Sequence, residues 1–180
     1  MRRDLSQEVE IPEGVEVKIE DGEVLVKGPL GELRRRLELG KLELKQEKGK
    51  ITLFNKKSTK TEKRLMNTAA SHLRNMVKGV QELFEYKLKL CFGHFPFTIK
   101  IEGKKIIIKN FLGEKIQREA SIPEGAEIKI EKEFITIKSM DKEKAGQAAG
   151  NLETVTKIKG RDKRIFQDGI YILEKCGRAV

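Results

Sequence analysis

A repeat constrains this chain more than any other feature of its sequence. Val15, Val17 and Ile19 alternate with charged residues, Asp21-Gly22 marks a turn, and Val24 and Val26 resume the alternation before Gly28-Pro29-Leu30-Gly31-Glu32. The same succession returns as Ile99 and Ile101, a turn at Gly103, Ile106 and Ile108, and Asn110-Phe111-Leu112-Gly113-Glu114. The step from Ile19 to Ile101 equals the step from Gly31 to Gly113, so the two copies keep one register. Period-2 alternation broken by a Gly turn predicts an antiparallel hairpin, and recurrence at one offset predicts an internal duplication. The 180 residues are therefore read as two small domains, 1–80 and 81–180.

Each half runs strands first and a helix last. Leu37 and Leu39, then Leu42 and Leu44, alternate on either side of Gly40, where the phase slips and a turn or bulge is expected. Ile51 and Leu53 continue the sheet, whereas Gly28-Pro29-Leu30-Gly31 is expected to interrupt it, because Pro lacks the ladder donor. Thr59 with Glu62 three residues on reads as a capping box, and Leu65, Ala69, Leu73 and Val77 mark one face of a helix that Gly79 stops. In the second half Ile128, Ile130, Ile135 and Ile137 supply strand. Ala145, Ala148, Ala149, Leu152 and Val155 then form a helical stripe that closes the domain, with a short strand over Ile170 to Leu173. Gly146 and Gly150 each cost about 1 kcal/mol against Ala, which predicts close approach of another backbone. Ile-Pro-Glu-Gly occurs at Ile11 and again at Ile122, a longer step that breaks the register of the repeat, so the two copies are similar turns at unrelated positions. The halves are expected to join through a strand around Phe84 to Phe92, and no strand or helix is read over Met1 to Val9. The fold class is α+β: two tandem duplicated domains, each a small, mainly antiparallel sheet packed against one helix.

Charge points to the partner. Lys plus Arg number 38 against 28 Asp plus Glu, a net charge of +10 with pI near 9.5, which favours a polyanion and makes affinity salt-sensitive. No run approaches the roughly 20 apolar residues of a membrane span. The start, MRRDLSQEVEIPEG, turns acidic at once and lacks the apolar stretch of a signal peptide, so the cytoplasm is expected. Cys91 and Cys176 are too isolated for a zinc constellation and are read as free thiols.

Catalysis finds little support. His72 and His94 have no triad or metal spacing around them, no P-loop occurs, and the carboxylates largely alternate with Lys as on a solvated face. Gly28-Pro29-Leu30-Gly31 matches a backbone-clamping Gly-x-x-Gly only superficially: it follows a strand and contains Pro, so a structural turn is the reading. No enzyme, cofactor, metal or small-molecule substrate is expected.

Three basic clusters remain. Arg34, Arg35 and Arg36 lie on a strand, where Arg34 and Arg36 point the same way. Lys56, Lys57, Lys60, Lys63 and Arg64 gather at a helix start, where the macrodipole disfavours cations and a bound phosphate would relieve them. The third cluster, Lys157, Lys159, Arg161, Lys163 and Arg164, is opposed only by Asp162 and followed by Phe166, Gln167 and Tyr171, which puts donors beside aromatics. Aromatics are 6% of the chain with no Trp, so phosphate and shape recognition of folded RNA fits better than a single-strand stacking platform.

As a set, GPLGEL from Gly28, SHLRNMVKGV from Ser71, NFLGEK from Asn110 and RDKRIFQDGIYIL from Arg161 resemble the large-subunit ribosomal protein six family, protein nine in eukaryotes, in its archaeal form. The resemblance covers nearly the whole chain. It implies two similar α+β domains and a noncatalytic ribosomal role. Its implied partners are large-subunit rRNA near the sarcin-ricin loop, neighbouring large-subunit proteins including the stalk base, and translational GTPases close by, with the carboxy-terminal domain making the main contact. By matching motif it nominates Arg161, Lys163, Arg164, Gln167 and Asp168, and at the second helix Lys142, Lys144 and Gln147, with Asp168 and Gly169 as candidates for shaping the loop. The chain lacks the Lys-Gly-rich segment of bacterial members. A free-standing RNA-binding regulator is the alternative.

Overall fold

Alternation decides the first hairpin. In the computed structural model, which describes residues 3–20, 22–47, 49–162 and 164–180 without the side chains of Arg3 and Lys57, Val24 and Val26 are fully buried between exposed or half-buried neighbours. The chain divides into two units, Met1–Glu82 and Leu83–Val180.

Unit one contains β1 (Arg3–Glu10), β2 (Glu16–Glu20), β3 (Glu23–Gly28), β4 (Gly31–Arg36), β5 (Glu43–Glu47), β6 (Lys50–Ser58) and α1 (Lys60–Gly79). Two three-stranded antiparallel sheets result, β2-β3-β4 and β1-β6-β5. Glu20 pairs with Glu23 around Gly22 at φ +78; the predicted turn partner Asp21 lies outside the described residues. β1 is an addition to the sequence reading: its inward positions are Leu5, Gln7 and Val9, and the polar Gln7 hides the period that Leu5 and Val9 begin. The expected slip at Gly40 is a turn with φ +55, and Leu37 and Leu39 lie outside the strands. Glu62 accepts from the Thr59 backbone N–H at 2.8 Å and from its hydroxyl, so the capping box forms. Met66, Ala69, Leu73 and Val77 of α1 then cover Val24, Val26, Ile51 and Leu53. Each fully buried aliphatic side chain in such a core is worth roughly 1.5–3 kcal/mol.

Gly28-Pro29-Leu30-Gly31 does not interrupt the sheet. Gly28 pairs with Gly31, so Pro29 sits in a hairpin turn where no ladder donor is needed, and Leu30 N–H donates to Val80 O at 3.0 Å. A Cβ built on Gly28 would lie 2.6 Å from Val80 Cγ2 and 3.0 Å from Val80 O. Gly28→Ala is expected to destabilise unit one by roughly 1–3 kcal/mol through overpacking. Urea unfolding at the wild-type midpoint would refute this.

Unit two contains β7 (Phe84–Cys91), β8 (Thr98–Glu102), β9 (Lys105–Lys109), β10 (Arg118–Ser121), β11 (Glu127–Glu131), β12 (Phe134–Ser139), α2 (Lys142–Val155), β13 (Gly169–Lys175) and β14 (Arg178–Ala179). The step from Glu16, which opens β2, to Thr98, which opens β8, is also the step from Lys60 to Lys142, the first residues of the two helices. The sheets repeat as well: β8-β9-β10 answers β2-β3-β4, and β7-β12-β11 answers β1-β6-β5. Where unit one turns on Gly28-Pro29, Asn110 (φ 62) and Leu112 (φ 51) form a 3-10 turn, and Ile108 then pairs with Arg118. Ile11–Gly14 and Ile122–Gly125 make the same turn, with Val15 N–H to Pro12 O and Ala126 N–H to Pro123 O both at 3.3 Å, yet one precedes β2 and the other β11.

The strand expected around Phe84 to Phe92 is β7, the central strand of a five-stranded sheet, β11-β12-β7-β13-β14. Unit two departs from the expectation in two ways. α2 does not close the unit, because β13 and β14 follow it and extend that sheet. Its glycines do not admit another backbone: a Cβ on Gly146 would meet the Tyr86 ring, with the hydroxyl oxygen at 3.2 Å, and one on Gly150 meets nothing within 4 Å. Ala145, Ala148, Ala149 and Leu152 pack on Leu88, Ile106, Ile135 and Ile137.

Candidate nucleic-acid interface

The loop between α2 and β13 is anchored at both ends. Thr156, capping α2, donates its hydroxyl to Leu152 O at 3.2 Å and accepts from Ile170 N–H at 2.9 Å. Arg118 donates through Nη1 to Val155 O at 2.7 Å and Lys157 O at 3.3 Å, which satisfies carbonyls that a helix end leaves orphaned. The same guanidinium makes a two-point bond to Glu114 at 2.6 and 2.8 Å and lies 4.4 Å from the centre of the Phe111 ring. Lys157 and Lys159 project into solvent on either side of buried Ile158. Asp162 then accepts from Arg164 N–H at 2.9 Å and from Arg164 Nη2 at 2.8 Å, closing a turn that leaves both residues at the surface. Lys163 lies outside the described residues.

The far end is held by a clamp absent from the sequence reading. Asp168 is 1% exposed, and its carboxylate accepts from Gly93 N–H at 2.7 Å and His94 N–H at 3.1 Å, with His94 Nδ1 at 2.8 Å. Burial alone pushes this carboxyl up, but the bonds from His94 and Gly93 outweigh it and hold it below its ordinary range. The His94 ring stacks on Phe166 with centroids 4.7 Å apart, and the Arg161 guanidinium lies 4.8 Å from the Phe166 centroid. A continuous line of contacts thus runs from a buried carboxylate to an exposed cation. Bonds to Gly93 and His94 thus engage both Asp168 carboxylate oxygens at this end of the loop. His94 and Asp168 are 74 residues apart, so no local spacing could reveal the pair.

The structure brings together Lys157, Lys159, Arg161, Arg164 and Gln167 on this loop, with Tyr171 just beyond it on β13, 41% exposed. It separates them from Lys142, Lys144 and Gln147. Lys142 and Lys144 occupy the other end of α2, where Lys142 Nζ lies 5.9 Å from the Phe84 ring centre, and Gln147 sits near the middle of the helix, donating to Asn151 Oδ1 at 2.7 Å. A helix of 14 residues spans roughly 20 Å, so the nominated residues form two groups. In unit one, Lys56 on β6 and Lys60, Lys63 and Arg64 on α1 are all exposed, while the Lys57 side chain is outside the described residues. The predicted need for a phosphate at that helix start is met in part by Glu62, whose carboxyl is held low by its bonds to Thr59. On β4, Arg34 and Arg36 are exposed and Arg35 is half-buried, as alternation requires. The cysteines are free and half-buried.

The pattern described as ribosomal protein L6 matches the chain twice, over residues 11–83 and 95–169, one copy to each unit. The large ribosomal subunit protein uL6 of Methanococcus vannielii is 43% identical over 176 residues, covering 98% of this chain and 97% of the relative. That of Methanobrevibacter smithii is 42% identical over 171 residues, covering 95% and 96%. Both names assign those relatives to the large ribosomal subunit.

Proposed function

Because this chain belongs to the ribosomal protein L6 family, we propose that its second unit anchors it on folded large-subunit rRNA through the loop from Lys157 to Gln167. The chain is a structural constituent of the large ribosomal subunit in the cytoplasm, a binding protein rather than an enzyme. The observation that carries the proposed contact is the anchored loop. Arg118 and Thr156 at one end and the Asp168–His94 pair at the other order its backbone before RNA arrives, so little ordering entropy is lost on binding.

Lys157, Lys159, Arg161, Lys163 and Arg164 meet phosphates, Gln167 and Tyr171 reach bases or sugars, and Asp168 acts by holding the loop. Lys142 and Lys144, roughly one helix length away, reach a separate stretch of backbone together with mid-helix Gln147. Lys56, Lys57, Lys60, Lys63 and Arg64 form a secondary patch. The rRNA segment lies near the sarcin-ricin loop and the stalk base, beside the site of translational GTPases; the family resemblance supports this location. Sedimentation of a cell extract tests the reading. Comigration with the large subunit at moderate salt, lost on combined Ala substitution of Lys159, Arg161 and Arg164, is the expected result. Unchanged comigration of that variant would exclude the loop as anchor, and wild-type protein confined to the soluble fraction would favour a free-standing regulator.

A further inference from the structure

A cavity of about 800 Å³ is lined by the end of β7, the residues just after it and the loop leading into β13. Its apolar surfaces include Phe92, Ile165 and Tyr171, exposed by 44%, 64% and 41%. Phe92 is braced edge-on against buried Phe97 with centroids 6.0 Å apart, and Tyr171 leans over Gly169. Solvated rings held in place beside a basic loop are what an unpaired base stacks on.

Lys89 supplies the second observation. Cross-strand pairing places it in one row between Phe134 and Tyr171, on the face of the sheet away from buried Leu88 and Leu90. Two other lysines of this sheet are neutralised, Lys87 by Glu174 at 2.9 Å and Lys138 by Glu85 at 3.1 Å. Half-buried Lys89 has no ion-pair partner among the described residues, although Glu133 also lines the cavity. Exposed Gln167 also lines the cavity, and its amide N–H makes a long 3.4 Å bond to Arg164 O.

We propose that this cavity holds one unpaired nucleotide of the bound rRNA, its base stacked on Tyr171 and Phe92 and read at its edge by Gln167, with its phosphate at Lys89. The inference rests on the rRNA-binding reading above and adds to it a site for a single base. Filter binding of the full chain to an archaeal large-subunit rRNA transcript, across a salt series, separates the two. Tyr171→Ala and Phe92→Ala are each expected to weaken binding roughly 5- to 100-fold without altering the slope of log affinity against log salt, because stacking releases no counterions. Tyr171→Phe, which keeps the ring, restores binding. Lys89→Gln, a change that leaves the core untouched, and Arg161→Ala each reduce the slope by about 1. Wild-type affinity in Tyr171→Ala, Phe92→Ala and Lys89→Gln beside a weakened Arg161→Ala would overturn the nucleotide site and leave the loop contact standing. Failure of the wild-type chain to bind the transcript would overturn both.

Discussion

Raising salt from about 50 to 200 mM is expected to weaken the complex of this chain with large-subunit rRNA by roughly 10³- to 10⁵-fold. The magnitude follows from the number of phosphates neutralised. Unit two alone exposes Lys144, Lys157, Lys159, Arg161 and Arg164 among its nominated cations, with Lys142 half-buried beside them on α2. If these and a few neighbours contact six to ten phosphates, counterion release sets a log–log slope of roughly −0.7 to −0.9 per contact. Affinity measured by filter binding at several salt concentrations checks this. A slope near zero would mean that shape and apolar contact, rather than Lys and Arg at phosphates, hold the complex.

Asp168→Ala is expected to cost unit two about 3 kcal/mol, more than most single substitutions. The Gly93 and His94 N–H groups would lose their acceptor at a site that is 1% exposed, and the His94 ring would lose the group that orients it against Phe166. Asp162→Ala on the same loop removes an exposed pair and is expected to cost less than about 1 kcal/mol. The two changes together tell a buried clamp from a surface ion pair. The effect of Asp168 is also pH-dependent. Its folded carboxyl titrates below the ordinary value of 3.8, so its stabilisation is complete above that pH and is lost as pH falls through the lower folded value. Urea unfolding at pH 7 should therefore separate wild type from Asp168→Ala, with the gap closing below about pH 3.8. Equal midpoints at pH 7 would show that the loop is held by Arg118 and Thr156 alone. Weaker rRNA binding by the folded variant would show that loop order matters to function.

Much of the fold is local and was legible for that reason. A strand's period of two, a Gly turn and a capping box involve residues within a few positions of each other, so Val24 and Val26, the Gly103 turn and Thr59 with Glu62 declare themselves without a partner in view. The basic run from Lys157 is likewise visible as charge, and the constant step from Ile19 to Ile101 and from Gly31 to Gly113 displays the duplication directly. β1 was not legible, because half-buried Gln7 occupies an inward position and only pairing with β6 makes the segment a strand. Gly146 and Gly150 misled for a related reason: propensity measures what a glycine costs a helix, not what stands opposite it, and opposite Gly146 is a tyrosine ring.

Sequence alone thus determined the repeated strand-and-helix plan and the charge of the loop, because periodicity and composition are properties of neighbours along the chain. Tertiary structure alone decided that Asp168 clamps His94 across 74 residues, that Lys142 and Lys144 stand at the opposite end of α2 from the loop, and that Lys89 lies in one row between two aromatic residues. Each of those depends on which strands pair and in what register, and register is set by burial of whole faces, which no short window of sequence contains.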